Sequence, residues 1–262
     1  MPRFETLMPI RTKGSGPALF CVHGQPLRMA QRLKKDRPLY GLSHVYHSDF
    51  LAETPESIEG LARTYLAEVR QVQPVGPYYF CGFSAGGMIA YEMAKQLLEA
   101  GESVGNMTLV EPTVGYQKRS LSGWVAGSTV SSGNTLTALL TLLKKLPKAI
   151  WTRSKYWYRK FKTAVYFKLG KPLPEDLRWL GYLKSLGPAM NKYSYEPINC
   201  GATILYGSTE DDYAQAIADY WDEMLAEGVQ LEIFADVHEH VDFMIDPALT
   251  RTVELIERTH TH

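Results

Sequence analysis

Short apolar runs separated by longer amphipathic stretches set the rhythm of this chain. The runs are Ala18 to Val22, Pro38 to Leu42, Tyr78 to Phe83, Met107 to Val110, Thr203 to Tyr206 and Leu231 to Ala235. Strand-length apolar runs that alternate with helical stretches predict an α/β fold, a mostly parallel sheet with helices on both faces. Ile58, Leu61, Tyr65, Val69 and Val72 recur at helical spacing, opened by Glu56 and closed before Pro74. The run Met88 to Ala100 ends at Gly101, a residue that readily takes the left-handed conformation of a helix end. A last helix is expected from about Pro247, with Leu249, Val253 and Ile256 on one face. From Val114 to Asn199 the rhythm fails, although Leu136 to Leu146 keep helical apolar spacing. An insertion after a sheet strand would lie over the carboxyl ends of the strands, where ligands bind in such sheets. Residues 1–262 are therefore read as a single domain and 114–199 as a helical lid inserted in it, in preference to an inert cover over the sheet edge.

One motif carries chemistry. Gly82-Phe83-Ser84-Ala85-Gly86 fits G-x-S-x-G, with an apolar run before it and a helix-like segment after it. In an α/β-hydrolase fold that context makes a nucleophile elbow, in which a strained turn lifts the serine hydroxyl above the sheet. The alternative is a turn with no chemistry. A serine hydroxyl needs a base in hydrogen-bond reach and an acid to orient that base, and in this fold they follow in the order Ser, Asp or Glu, His. Of the seven histidines, His238, His240, His260 and His262 follow Ser84, and the last two read as a terminal tail. The base is then His238 or His240, between the last strand and the last helix. Two histidines two apart also fit a metal pair, but no other ligand cluster supports one, and no metal is expected. Glu111 and Asp211 each follow a strand, and the residues alone leave the acid open between them. An oxyanion hole needs two backbone N–H groups. The residue after the nucleophile is Ala85, and in His23-Gly24-Gln25-Pro26 the best donor is Gln25, since Pro26 has no N–H. His23 precedes Ser84 and is expected to shape that loop.

Composition narrows the picture. The chain is 45% hydrophobic and 21% charged, and no apolar run approaches the length of about 18 residues that spans a bilayer. No membrane span is expected. The N-terminus has no secretory signal, which leads us to expect a cytoplasmic protein. Cys21, Cys81 and Cys200 lie in or beside apolar runs, as reduced, buried thiols do. Net charge is zero but unevenly placed: from Gln117 to Lys192 there are 15 Lys or Arg against Glu175 and Asp176 alone, while the rest carries 13 against 26. An acidic partner would suit the basic segment.

Several stretches resemble the thioesterase domains of nonribosomal peptide and polyketide synthases, members of the α/β-hydrolase superfamily. They are Leu19-Phe20-Cys21-Val22-His23-Gly24, Arg37-Pro38-Leu39-Tyr40-Gly41-Leu42, Gly76 to Gly87 with Ala90-Tyr91-Glu92-Met93-Ala94, and His240-Val241-Asp242-Phe243-Met244. The resemblance implies a substrate held as a thioester on the phosphopantetheine of an acyl or peptidyl carrier domain, with no cofactor of the enzyme's own. It implies an acyl-enzyme on Ser84, released by hydrolysis or intramolecular cyclisation, and it favours His240 over His238. The family usually has Asp where this chain has Glu111, so the expected triad is Ser84, Glu111 and His240, with Asp211 in reserve. The loop after His23 is shorter and poorer in glycine than is usual. Carrier domains are typically acidic, which makes the basic lid the expected docking surface. No nucleic-acid partner is expected. Other readings are a proofreading thioesterase, a general carboxylesterase, a lipid-surface esterase and a non-catalytic carrier-binding scaffold.

Overall fold

The computed structural model describes residues 4–44, 55–113, 157–166, 168, 169, 171, 174–207 and 211–260. The strands are β1 (Leu7–Arg11), β2 (Leu19–Val22), β3 (Leu39–Leu42), β4 (Tyr79–Phe83), β5 (Met107–Val110), β6 (Ala202–Gly207) and β7 (Val229–Phe234). They form one sheet in the order β1-β3-β2-β4-β5-β6-β7, parallel except for β1, which runs antiparallel to β3. The six apolar runs are thus the six parallel strands, displaced by a residue or two. Strands β2, β3 and β5 are buried at every position, which explains why they read as continuous apolar runs.

Period-2 alternation splits the core into two layers. Leu19, Cys21, Leu39, Cys81, Val110 and Leu205 cluster with Leu249, Val253 and Ile256 of the C-terminal helix Ala248–Thr259. On the other face Phe20 packs against Tyr40 and Phe80, with ring centroids 5.4 and 6.0 Å away. After α1 (Pro26–Ala30), helices α2 (Ile58–Val72) and α3 (Ala85–Glu99) pack against each other, and α3 packs on β2, β4 and β5. Ser57 caps α2, its hydroxyl accepting from Gly60 N–H at 3.0 Å. Helix α3 starts directly after Ser84, one turn earlier than Met88.

Three elements depart from the pattern reading. Strand β1 contains Pro9, which an edge strand tolerates because one side of it pairs with no other strand among the described residues. Glu68 of α2 holds its approach, accepting from Glu5 N–H at 2.6 Å, Thr6 N–H at 3.0 Å, Leu7 N–H at 2.6 Å and the Thr6 hydroxyl at 2.7 Å. The helix Asp211–Met224 fills the crossover between β6 and β7. His260 is no tail residue: it is 3% exposed, at the C-terminal cap of the last helix.

The chain forms two compact units, one of residues 1–47, 55–115 and 188–262, the other of 48–54 and 116–187. Half of the expected lid, residues 114–156, lies outside the described residues. Within the second unit, 157–166 is helical and exposes Trp157, Tyr158 and Phe161. No helix among the described residues is long and apolar enough to cross a membrane.

Candidate active site

Among the described residues, three non-glycine residues have positive φ, and each is the first residue after a strand. They are His23 (60°) after β2, Ser84 (55°) after β4 and Glu111 (42°) after β5. These strands are neighbours, with Val22 paired to Gly82 and Phe83 to Val110, so the three turns stand side by side on the carboxyl edge of the sheet. The chain reverses its direction across the sheet between β2 and β4, the crevice where ligands bind in such folds. A side chain at positive φ costs on the order of 1–3 kcal/mol and persists only where its surroundings over-determine it. Strain concentrated at one edge makes that edge the candidate site.

The surroundings of Ser84 explain its strain. Its φ and ψ are 55° and −122°, and its N–H donates to Val110 O at 2.8 Å. A Cβ at Gly82 would lie 2.5 Å from Gly86 O, and one at Gly86 would lie 2.1 Å from Val22 O. Only glycine fits at either place, because the turn brings strand, helix and the neighbouring strand into backbone contact. Ser84 occupies the N-cap of α3 but its side chain caps nothing, and among the described residues its hydroxyl has no hydrogen-bond partner.

Glu111 and His240 meet. Glu111 Oε2 accepts from His240 Nδ1, and Glu111 Oε1 accepts from Gly207 N–H at 3.0 Å. With Nδ1 carrying the proton, His240 Nε2 keeps its lone pair free to act as a base. The His240 ring packs on Phe83, the residue before Ser84, with centroids 4.5 Å apart. His240 opens the 3₁₀ turn His240–Met244, which is pinned by a reciprocal capping box between Glu239 and Asp242. Asp242 also accepts from His238 N–H at 3.3 Å, and Phe243 is buried against Phe234. The loop is thus fixed at its carboxylate and its aromatic. His238 itself is exposed. The reserve acid Asp211 opens the helix Asp211–Met224, and its side chain lies outside the described residues.

The two expected oxyanion donors flank the same edge. Ala85 is the first residue of α3, so its N–H has no acceptor within the helix. Gln25 is the N-cap residue of the helix Pro26–Ala30, and its side-chain amide lies 3.8 Å from Met244 Sδ. His23 shapes this loop from behind, with its N–H bonded to Leu42 O at 2.9 Å and Nε2 against the Tyr65 hydroxyl at 3.0 Å. Burial pushes the His23 pKa well below its ordinary value, which keeps the ring neutral. A crevice of about 20 Å³ lies below, lined by residues that include Gln25, Phe83, Met244, Cys21 and Cys81. It has room for about one water molecule and not for an acyl chain. Cys21 and Cys81 are buried, unbridged and paired across β2 and β4. Among the described residues no group of three or more His, Cys, Asp or Glu is arranged to hold a metal ion.

The family profile named Thioesterase domain matches residues 27–128, a span that holds Ser84, Ala85 and Glu111. Residues 27–128 belong to the thioesterase family. Among curated relatives, a probable non-canonical nonribosomal peptide synthetase, CymA of Salinispora arenicola, is 35% identical over 156 residues, which is 56% of this chain and 2% of that protein. Malpinin synthetase of Mortierella alpina is 35% identical over 122 residues, 44% of this chain and 2% of that one. The chain thus spans a small fraction of the length of the synthetases it matches. Among solved structures, the NocB thioesterase domain in covalent complex with a fluorophosphonate nocardicin G analog superposes with a TM-score of 0.63 at 21% identity, over 97% of this chain and 99% of that one. At that identity the likeness speaks for the fold alone, and the chain has the α/β-hydrolase architecture.

Two partners in the carboxyl-edge cluster have no motif. Gly207 donates to Glu111 through its backbone, which any residue could do. A Cβ there would lie 2.8 Å from Val237 O and 3.1 Å from Glu111 Oε1, which is why the position is glycine. Tyr206 sits one residue earlier, beside the same loop. The cue in sequence is only that a strand ends in Tyr-Gly.

Proposed function

We propose that this chain is a serine thioesterase that releases an acyl, peptidyl or polyketide chain from the phosphopantetheine of a carrier domain. Ser84 is the nucleophile, His240 the base, Glu111 its orienting acid, and Gln25 and Ala85 supply the oxyanion N–H groups. The observation that carries the reading is the Glu111–His240 pair, lodged beside a serine held at positive φ on the edge where the strands end. Ser84 Oγ attacks the thioester carbonyl carbon while its proton passes to His240 Nε2. The carbonyl oxygen takes the negative charge and is met by the two backbone N–H groups. As the tetrahedral intermediate collapses, the carbon–sulfur bond breaks and His240 returns the proton to the departing sulfur. The acyl group remains as an ester on Ser84. Water, or a hydroxyl or amine of the chain itself, then gives its proton to His240 and attacks that ester, and Ser84 recovers its hydrogen.

The 15 Lys and Arg between Gln117 and Lys192, against two carboxylates, support docking of an acidic carrier domain on that segment. The test is intact-mass measurement of an acyl-loaded carrier domain incubated with the wild type or with Ser84→Ala, alongside labelling by a fluorophosphonate. The wild type is expected to unload the carrier and take one label, and Ser84→Ala to do neither. Labelling of neither protein, with the carrier still loaded, would favour a binding scaffold. Equal turnover of simple oxygen esters would favour a general carboxylesterase.

A further inference from the structure

The positive φ of Glu111 needs something to hold it, and the structure supplies a clamp that none of the proposed chemical steps uses. Glu111 N–H donates to Leu205 O at 2.8 Å. The Tyr206 hydroxyl donates to Pro112 O at 3.1 Å, and the Tyr195 hydroxyl donates to Thr113 O at 2.8 Å. Gly207, next to Tyr206, donates to the carboxylate itself. The end of β6 therefore grips Glu111 from both sides of its Cα, at the main chain just behind it and at Oε1. Pro112 has no N–H with which to hold the loop otherwise, and so its carbonyl oxygen is the handle. A carboxylate on a flexible side chain at a strained position would otherwise relax away from the imidazole, because a left-handed glutamate gains by returning to negative φ.

We propose that Tyr206, seconded by Tyr195, is a positioning residue that holds Glu111 at the angle from which its carboxylate orients His240. The inference rests on the proposed role of Glu111. Both hydroxyls donate to main-chain oxygens, so phenylalanine keeps the ring and removes that donor. The experiment measures kcat and KM for an acyl-pantetheine thioester with the wild type, Tyr206→Phe, Glu111→Gln and the double variant. Tyr206→Phe is expected to lower kcat about tenfold with KM within a factor of about two, as a small misplacement of a reacting group does. In the Glu111→Gln background the same change is expected to alter the residual rate by less than about twofold, because a residue that works only through the carboxylate has nothing left to act on. Tyr195→Phe, read through the same cycle, serves if Tyr206→Phe does not fold, and is expected to show the same pattern more weakly. Equal losses in both backgrounds would make the tyrosines merely structural, and a wild-type kcat in Tyr206→Phe would end the proposal while leaving the Glu111 role intact. Full activity in Glu111→Gln would overturn that role and this inference together.

Discussion

His260 makes the stability of the fold depend on pH in a direction and size that follow from its partners. Its Nδ1 accepts from an Arg37 guanidinium nitrogen at 3.0 Å and its Nε2 faces the Thr108 hydroxyl at 3.0 Å. Arg37 offers only donors, so Nδ1 must be the acceptor and the ring is the neutral Nε2–H tautomer. Burial, and then the charge of Arg37, push the His260 pKa down to about 3. The folded value lies below the unfolded one of about 6.5, so the unfolded chain binds the extra proton first. The stability that neutral His260 supports is therefore complete above about pH 6.5 and is lost progressively as the pH falls toward 3. At about 1.4 kcal/mol per pH unit, acidification from pH 6.5 to 4.5 removes roughly 2–3 kcal/mol, a large part of the ~5–15 kcal/mol that holds a domain. His260→Gln keeps a hydrogen-bonding head of similar reach and removes the titration. Urea unfolding of both proteins at intervals from pH 7 to 4.5 isolates the effect, since the carboxylates titrate alike in each. The wild type is expected to lose about 2 kcal/mol more than the variant over that range. Parallel stability curves would refute a neutral, buried His260.

Two further outcomes follow from backbone contacts. Gly86→Ala would press a methyl group to 2.1 Å from Val22 O and 2.9 Å from His23 Cβ. It is expected to cost more than about 3 kcal/mol in thermal or urea unfolding, beyond the usual range for a surface change, and a variant as stable as the wild type would refute the close packing of elbow and β2. Glu68→Ala strips four hydrogen bonds from residues 5–7, and leaving buried donors without acceptors is expected to cost about 2–4 kcal/mol. Amide exchange should then quicken across Leu7–Arg11 ahead of the other strands, and unchanged protection there would show that β1 does not depend on Glu68.

What could be read from the sequence, and what could not, divides by the range of the interaction that fixes it. Parallel strands buried on both faces must be apolar at successive positions, so β2 to β6 are visible one residue at a time. The elbow is visible because two glycines and a serine are demanded within five residues. Strand β1 escapes because Leu-Met-Pro-Ile-Arg has neither continuous apolarity nor clean alternation, and its pairing is fixed by Tyr40 and Gly41 of β3 and by Glu68. The pairing of Glu111 with His240 spans 129 residues and depends on β5 lying between β4 and β6, which brings Gly207 to one carboxylate oxygen while the other points at the loop after β7. No local pattern distinguishes that glutamate from Asp211, and in this chain the resemblance to a family supplied the choice. His260 shows the same limit from the opposite side. Its partners lie 223 and 152 residues earlier, so near the end of the chain it reads as a tail, whereas in the fold a long-range ion and a core threonine make it a buried acceptor. The residues whose chemistry is set by neighbours close in sequence can be named in advance. Those whose protonation or backbone angle is set by a distant strand become legible only when the order of the sheet is known, and Tyr206 belongs with them: a strand-end tyrosine has no distinction until the carbonyl it grips is seen to belong to the loop that carries the carboxylate.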